Sequence, residues 1–358
     1  MEPCEVVVAV DLGGTRMKCG LVAADGAVLH RETRPTPRAL TDAGGGGRAV
    51  LDALLEAVLE LGQKAAADGH AVRAVGVVVP GIINAQHGTV SAENLAWVGT
   101  PVLAELQAAV GPDRQVTLAH DVRAGGYAEL REGALTGTTN SLFLPLGTGI
   151  AAAMVVDGSL VSGDGYAGEL GHTRFVHGEA AELCACGQYG CLETVASAAA
   201  LARRYGVRTG RVVDGAREVL ELLGEGDPDA AAVWEEALSA LIDALVLYTT
   251  LVAPTRIAIG GGLVGAGETL LAPLRAGLHE RLTFQREPEI VAAVLGEEAG
   301  CLGAALMAWD RVALEAAPPA RISPGRTAVP EASTQARPEA DPDASPAVGV
   351  EESGEQAV

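Results

Sequence analysis

Three of the chain's six cysteines fall close together, Cys184, Cys186 and Cys191, in the stretch GELGHTRFVHGEAAELCACGQYGCLET from Gly168 to Thr194. His172 lies twelve positions before the first of them. A C-x-C pair, a third cysteine five positions later and an upstream histidine make a Cys₃His set, which suits the tetrahedral thiolate and imidazole coordination of zinc. Gly187 and Gly190 let so short a loop wrap round an ion. Four protein ligands leave no open position, so the expected ion is structural Zn²⁺. Cys184 and Cys186 are too near in sequence for an unstrained disulfide. His177 is a rival to His172 as the fourth ligand. Two carboxylates, Glu169 and Glu193, bracket the stretch.

Two glycine turns offer a second kind of chemistry. DLGGTR, Asp11 to Arg16, places Gly13, Gly14 and Thr15 at a hairpin tip after an apolar strand. Glycines let the backbone approach a phosphate, and successive N–H groups with the Thr15 hydroxyl can cradle its oxygens. Asp11 at the strand end suits Mg²⁺ held through water. LGTGI, Leu146 to Ile150, repeats the device with Gly147, Thr148 and Gly149. Both also read as ordinary hairpin turns. Asp121 in TLAHDVRAGG follows another apolar strand, where open α/β sheets bind ligands. It can accept a proton from a hydroxyl that attacks phosphorus, or it can simply cap the helix that follows. No Gly-Lys pair occurs, so a P-loop is excluded. GGGLVG, Gly260 to Gly265, matches G-x-G-x-x-G, but the acid at the right distance, Glu280, falls in AGLHERL, which reads as helix. A dinucleotide fold is not supported.

The elements that must position these residues alternate. EVVVAVDLGGTRMKCGLVAADGAVL reads as two strands about a Gly-Gly turn and a third after ADG. A helical period runs from about Arg48 to Asp68, then VRAVGVVVPG reads as a buried strand. PVLAELQAAVG is a helix, QVTLAHDV a strand and AGGYAELREGAL a helix despite its glycines. NSLFLPLGTGIAAAMVVDG repeats the opening strand–turn–strand. Helices follow at Ala196–Tyr205 and about Ala230–Leu251, then strands RIAIGGG and EIVAAVL, and a closing helix CLGAALMAWDRVALEAA. The expected fold is α/β, with two related lobes that each open on a hairpin.

Of 358 residues 49 % are hydrophobic and 3 % aromatic, so Ala, Val and Leu must fill the cores. Net charge is −21, which opposes binding to nucleic acid. The N-terminus lacks a signal-peptide pattern and no apolar run reaches membrane-spanning length, so a cytoplasmic protein with no membrane partner is expected. Beyond about Ala317 the chain is rich in Pro, Ala, Glu and Ser and is expected to be a disordered tail.

From about Val6 to about Trp309 the chain resembles the ROK family of bacterial sugar kinases, within the actin-like ATPase superfamily. The resemblance rests on DLGGTRMKCGLV, PGIINAQHGTVSAENLAWVGTPV, HDVRAGGYAE, LGTGI, GELGH, CACGQYGCLE and AIGGGLV, in that order. It implies two actin-like, ribonuclease H-like lobes with ATP and a hexose meeting in the cleft. The corresponding boundaries are residues 1–120, residues 121–300 with the zinc loop, and a closing helix, residues 301–316, packed back on the first lobe; residues 317–358 form the tail. It implies Asp121 as catalytic base and Gly13, Gly14 and Thr15 near the phosphates. Gly147, Thr148 and Gly149 form a second phosphate loop, and Gly261 and Gly262 line the adenosine site. It further implies Glu169, His172 and Glu193 as sugar contacts, with Asn94, Gly81 and His120 beside them, His172 serving zinc and sugar through its two ring nitrogens. Family habit also implies a homodimer or a dimer of dimers. Four positions depart from the pattern: His120 and Arg123 replace asparagines flanking the aspartate, Arg174 stands where glycine is common, and Arg16 where lysine is usual.

The resulting expectation is ATP-dependent phosphorylation of a hexose at O6, with glucose first and an N-acetylhexosamine (N-acetylglucosamine or N-acetylmannosamine) as the alternative. A sugar-responsive repressor is disfavoured by the charge and by the ten residues before Asp11, which leave no room for a helix-turn-helix domain. A sensor without catalysis is disfavoured by Asp121.

Overall fold

The computed structural model describes residues 4–37 and 46–316, so the expected tail lies outside the described residues. In chain order the first part contains β1 (Glu5–Leu12), β2 (Arg16–Ala23), β3 (Val28–Pro35), α1 (Gly46–Ala67), β4 (Ala71–Val79), β5 (Ile82–Asn84), β6 (Thr89–Ala92), β7 (Trp97–Thr100), α2 (Val102–Val110), β8 (Gln115–His120) and α3 (Asp121–Glu132). The second contains β9 (Ser141–Pro145), β10 (Ala153–Val156), β11 (Ser159–Leu160), α4 (Glu193–Ala196), α5 (Ala198–Thr209), α6 (Ala216–Gly224), α7 (Pro228–Val252), β12 (Arg256–Gly260), α8 (Glu268–Arg281), β13 (Glu289–Ala292) and α9 (Ala299–Ala316).

The strands form two five-stranded sheets of matching design, β3-β2-β1-β4-β8 and β11-β10-β9-β12-β13. In each, antiparallel hairpin strands come first and two strands then add in parallel. The glycine turns DLGGTR and LGTGI occupy the equivalent hairpin tips. The two related α/β lobes expected from that repetition are therefore present. Glu280 lies in α8, as its helical surroundings implied.

Burial explains the choice of residues. β1 alternates between two cores. Val6, Val8, Val10 and Leu12 pack with Leu51, Leu54, Val58 and Leu61 of α1, which recur at helical spacing. Val7 and Ala9 face Ala304, Ala305 and Ala308 of α9. A strand buried on both faces reads as a continuous apolar run, as EVVVAVDL does. The scarcity of aromatics matters here, because α9 comes very close to its neighbours. A Cβ on Gly76 of β4 would lie 2.1 Å from the Ala304 carbonyl oxygen, and one on Gly303 would lie 2.0 Å from that of Ala124 in α3. Helix α9 thus packs on the first sheet while crossing α3. Tyr127 and Arg131 of α3 hold Asp310 of α9 at the outer end of this crossing.

In the second lobe, α7 is started by Asp227, whose Oδ1 accepts from Asp229 and Ala230 N–H at 2.9 Å each, with Pro228 at the first helical position. Its Leu241 and Leu245 cover Leu142 and Leu144 of β9. The sheet β5-β6-β7 and helix α6 have no counterpart in the sequence reading.

Candidate active site

The turn after β1 is held by main-chain and threonine bonds. Gly13 N–H donates to Arg16 O at 2.9 Å, and the Thr36 hydroxyl donates to Gly13 O at 2.7 Å. Thr36 is buried and its own N–H reaches Thr15 O, so it fixes the loop from behind. Nothing in the sequence around Thr36 signalled this. Asp11, beside Lys18 in the β1–β2 register, points into the cleft. Its carboxyl is pushed up to about 7, first by burial and then by repulsion from Asp121, against the attraction of Lys18.

That carboxyl gives a pH prediction. The folded protein keeps the Asp11 proton up to about pH 7, whereas an unfolded aspartate releases it near about pH 4. Stability from this group is therefore lost as pH rises between those values. Asp11→Asn removes the penalty. In protein without nucleotide, hexose or added Mg²⁺ the variant melts above wild type at pH 8, and the difference disappears below about pH 4. Equal melting temperatures at pH 8 would contradict the assignment.

Asp121 opens α3, where Oδ1 accepts from Val122 N–H at 2.7 Å. His120 Nδ1 also accepts from Val122 N–H, at 3.2 Å, and lies 3.1 Å from the same carboxylate oxygen. Burial lowers the His120 pKa, Asp121 opposes this, and Arg123 adds to it. A neutral ring that accepts at Nδ1 carries its proton on Nε2.

Asp121 shares a cleft of about 770 Å³ with Asp11, Gly13, Thr15, Gly261 and Gly262. Arg16, Lys18, Phe143 and Gly300 also line it, and the sequence reading assigned none of these four to the site. The remaining sequence-predicted residues do not line this cavity. Asn94 stands on the single turn Glu93–Leu95, with Nδ2 3.2 Å from where Gly14 would carry a Cβ. Gly81 has φ +92° and lies tight against the Ser91 carbonyl, a main-chain reason for its glycine.

The second glycine turn is anchored on three sides. Gly147 O accepts from Ala198 N–H at 2.8 Å, at the start of α5. Glu193, first residue of α4, accepts from Ile150 N–H through Oε2 at 2.8 Å, just after Thr148 and Gly149. Leu146 N–H donates to Gly260 O at 2.9 Å, and Gly261 packs on Leu146 with φ +75° and no room for a Cβ. Glu169 adjoins the turn Leu170–His172. Burial raises its carboxyl pKa; His172 and Arg123 counteract this, while Asp121 and Glu193 reinforce it. These four side chains therefore lie within electrostatic reach of Glu169.

The metal test rests on geometry. One ligand atom each from His172, Cys184, Cys186 and Cys191 lies within 4.8 Å of all the others. Tetrahedral zinc with ordinary bond lengths places two sulfurs about 3.8 Å apart and a nitrogen and sulfur about 3.6 Å apart. Cys186 and Cys191 sulfurs are 3.6 Å apart, and His172 Nδ1 is 3.5 Å from the Cys184 sulfur. The donor set fits zinc. The group contains His172 and not His177, which removes the rival ligand of the sequence reading. Because Nδ1 faces the sulfurs, Nε2 is left for other work. Arg174 serves the same loop, donating from Nε to Tyr189 O at 3.0 Å.

Comparison with known proteins agrees with this architecture. The sequence profile of the ROK family matches residues 7–311. A glucokinase of Thermotoga maritima is 33 % identical over 86 % of this chain and 98 % of its own. An N-acetyl-D-glucosamine kinase of Shigella boydii is 33 % identical over 83 % of this chain and 97 % of its own. The crystal structure of a ROK family glucokinase from Streptomyces griseus in complex with glucose and AMPPNP superposes with a TM-score of 0.69 at 29 % identity, covering 84 % of this chain and 98 % of that one. With two matching sheets, two glycine hairpin tips, an aspartate between them and a Cys₃His cluster in the order of its motifs, the chain belongs to the ROK family of sugar kinases, with the two-lobe actin-like fold.

Proposed function

We propose that this protein transfers the γ-phosphoryl group of ATP to O6 of a hexose, glucose first. The observation that carries the reading is Asp121, which lines the cleft together with Gly13 and Thr15 of the first glycine turn and lies within electrostatic range of Glu169. Asp121 accepts the proton of the C6 hydroxyl as that oxygen attacks the γ-phosphorus in line; the bond to the β-phosphate oxygen breaks and ADP leaves. N–H groups of the turns at 13–15 and 147–149 receive phosphate oxygens. Asp11, half-buried on the cleft wall, would hold Mg²⁺ through water. When bound, the ion neutralises charge on the phosphates. Glu169, His172 Nε2 and Glu193 accept or donate to sugar hydroxyls, with Asn94 and His120 alongside. His172, Cys184, Cys186 and Cys191 would hold a structural Zn²⁺ that braces this wall.

The base has room beside the cleft. A second cavity of about 640 Å³ shares Gly262 and Gly265 with it and is lined by Leu220, Leu263 and Ala266. An apolar pocket continuous with a phosphate site suits a purine ring. Thr269→Trp, on the exposed first turn of α8 at this pocket, raises KM for ATP about ten-fold or more and leaves KM for hexose unchanged. Steady-state kinetics with each substrate varied would show it; a rise in hexose KM alone would move the nucleobase elsewhere.

An N-acetylhexosamine is the second reading, favoured by the N-acetyl-D-glucosamine kinase relative and by the replaced residues His120 and Arg123. A coupled assay over glucose, mannose, N-acetylglucosamine and N-acetylmannosamine, with ATP and with polyphosphate, decides between them. Phosphorylation of none of the four would overturn the proposal.

A further inference from the structure

Four carboxylates converge on the site, Asp11, Asp121, Glu169 and Glu193, and one arginine is buried among them. Arg123 is 8 % exposed and sits on the first turn of α3, two residues after Asp121. Its Nη1 donates to Ala167 O at 2.9 Å and to Gly165 O at 3.3 Å. Burying a guanidinium is costly unless its charge is opposed and its donors find acceptors; here the charge is opposed and Nη1 has two acceptors. Glu169 and Asp121 supply the opposing charge, and the two carbonyls supply the acceptors.

Those carbonyls belong to a segment held between the lobes. Gly165 lies against the Ile83 carbonyl of β5, where a Cβ would come within 2.1 Å. Gly168 O accepts from Ala152 N–H at 2.7 Å, next to β10. Ala167 lies between these two anchors, and Glu169 follows it by two residues. Without Arg123 nothing in this group would connect the segment to α3, and Glu169 would face Asp121 as one carboxylate facing another.

We propose that Arg123 is a positioning residue that fastens the segment 165–169 to the first turn of α3, and so fixes Glu169 relative to Asp121 on the sugar side of the site. This rests on the hexose-kinase reading for its kinetic consequence but not for the fastening itself. Both carbonyls are met by a single nitrogen, Nη1, whose hydrogens lie at fixed angles in the rigid guanidinium plane; a lysine ammonium rotates freely on a shorter stem and holds neither direction.

Two measurements on Arg123→Ala and Arg123→Lys test it. Amide hydrogen exchange of residues 163–170, in protein without substrates, speeds up in Arg123→Ala while exchange in α7 and β1 is unchanged. In steady-state kinetics the hexose KM of Arg123→Ala rises by about ten- to one hundred-fold with ATP KM held within two-fold, as expected for misplacement of one wall. Arg123→Lys falls between the two in both measurements. Unchanged exchange in the alanine variant overturns the fastening. So does a lysine variant identical to wild type, because charge alone then suffices. Parallel rises in both KM values with faster exchange throughout would show general damage and likewise overturn a positioning role. If wild type phosphorylates no hexose, the functional reading fails, and the exchange experiment still decides the fastening.

Discussion

Asp121→Asn lowers kcat by about 10²- to 10⁴-fold and leaves both KM values within a few-fold, the range expected when a general base is removed and binding is kept. Asparagine still offers Val122 N–H an acceptor, so the first turn of α3 keeps the bond that Oδ1 now makes at 2.7 Å. The coupled assay reads the rate, and circular dichroism with nucleotide titration reads the fold. A variant with more than about a tenth of wild-type kcat would remove Asp121 as the base. Asp11 is the rival carboxylate in the same cleft, and its carboxyl is pushed up to about 7. The two differ in their surroundings. Asp11 lies between Lys18 and the first glycine turn, toward the proposed phosphate site. Asp121 has Arg123 and Glu169 as neighbours, on the proposed sugar side. Asp11→Asn should therefore impair nucleotide use more than hexose binding.

The second large effect concerns the cysteine cluster. Protein purified without chelator contains about one zinc per chain, and Cys191→Ser contains far less. Cys191 is fully buried, and its sulfur is 3.6 Å from that of Cys186, so serine leaves the ion three ligands in a closed site. The variant loses about 3–5 kcal/mol of stability, in the upper range for single substitutions that cost a metal. Its hexose KM rises more than its ATP KM, because Glu193 begins α4 only two residues after Cys191. Chelation of wild type reproduces both changes. Elemental analysis well below one zinc per chain in never-chelated protein would remove the proposed metal site.

The sequence announced the parts of this molecule whose periodicity is long or whose chemistry is local. The helix expected from about Arg48 to Asp68 is α1, Gly46–Ala67, because its apolar residues recur at helical spacing. Both hairpins were legible from Gly turns between apolar runs. The cysteine spacing was legible because a tetrahedral ion needs close ligands. What escaped reading depends on distant partners. The strands β5, β6 and β7 have three or four residues each and too little alternation to register as a sheet. Thr36 looks like any loop threonine until it is seen donating to Gly13. Glu129 lies in the expected helix AGGYAELREGAL, whose sequence does not mark it as buried, yet it is fully buried. Its two oxygens accept from the N–H groups of Ala134, Val294 and Leu295, tying α3 to the segment before α9. Arg123 was visible as a departure from a family pattern, but its work became clear only from the carbonyls it meets.

The seam where α9 crosses α3 and β4 touches main chain to main chain, at Gly303 on Ala124 and Gly76 on Ala304. Approach this close leaves no slack: a methyl group at either glycine would come within 2.1 Å of a carbonyl oxygen, and the helix would have to lift off to admit it. Tyr127, Arg131 and Asp310 clasp one end of the seam, and the Trp309 Nε1 bond to Val22 O rivets the helix to the sheet.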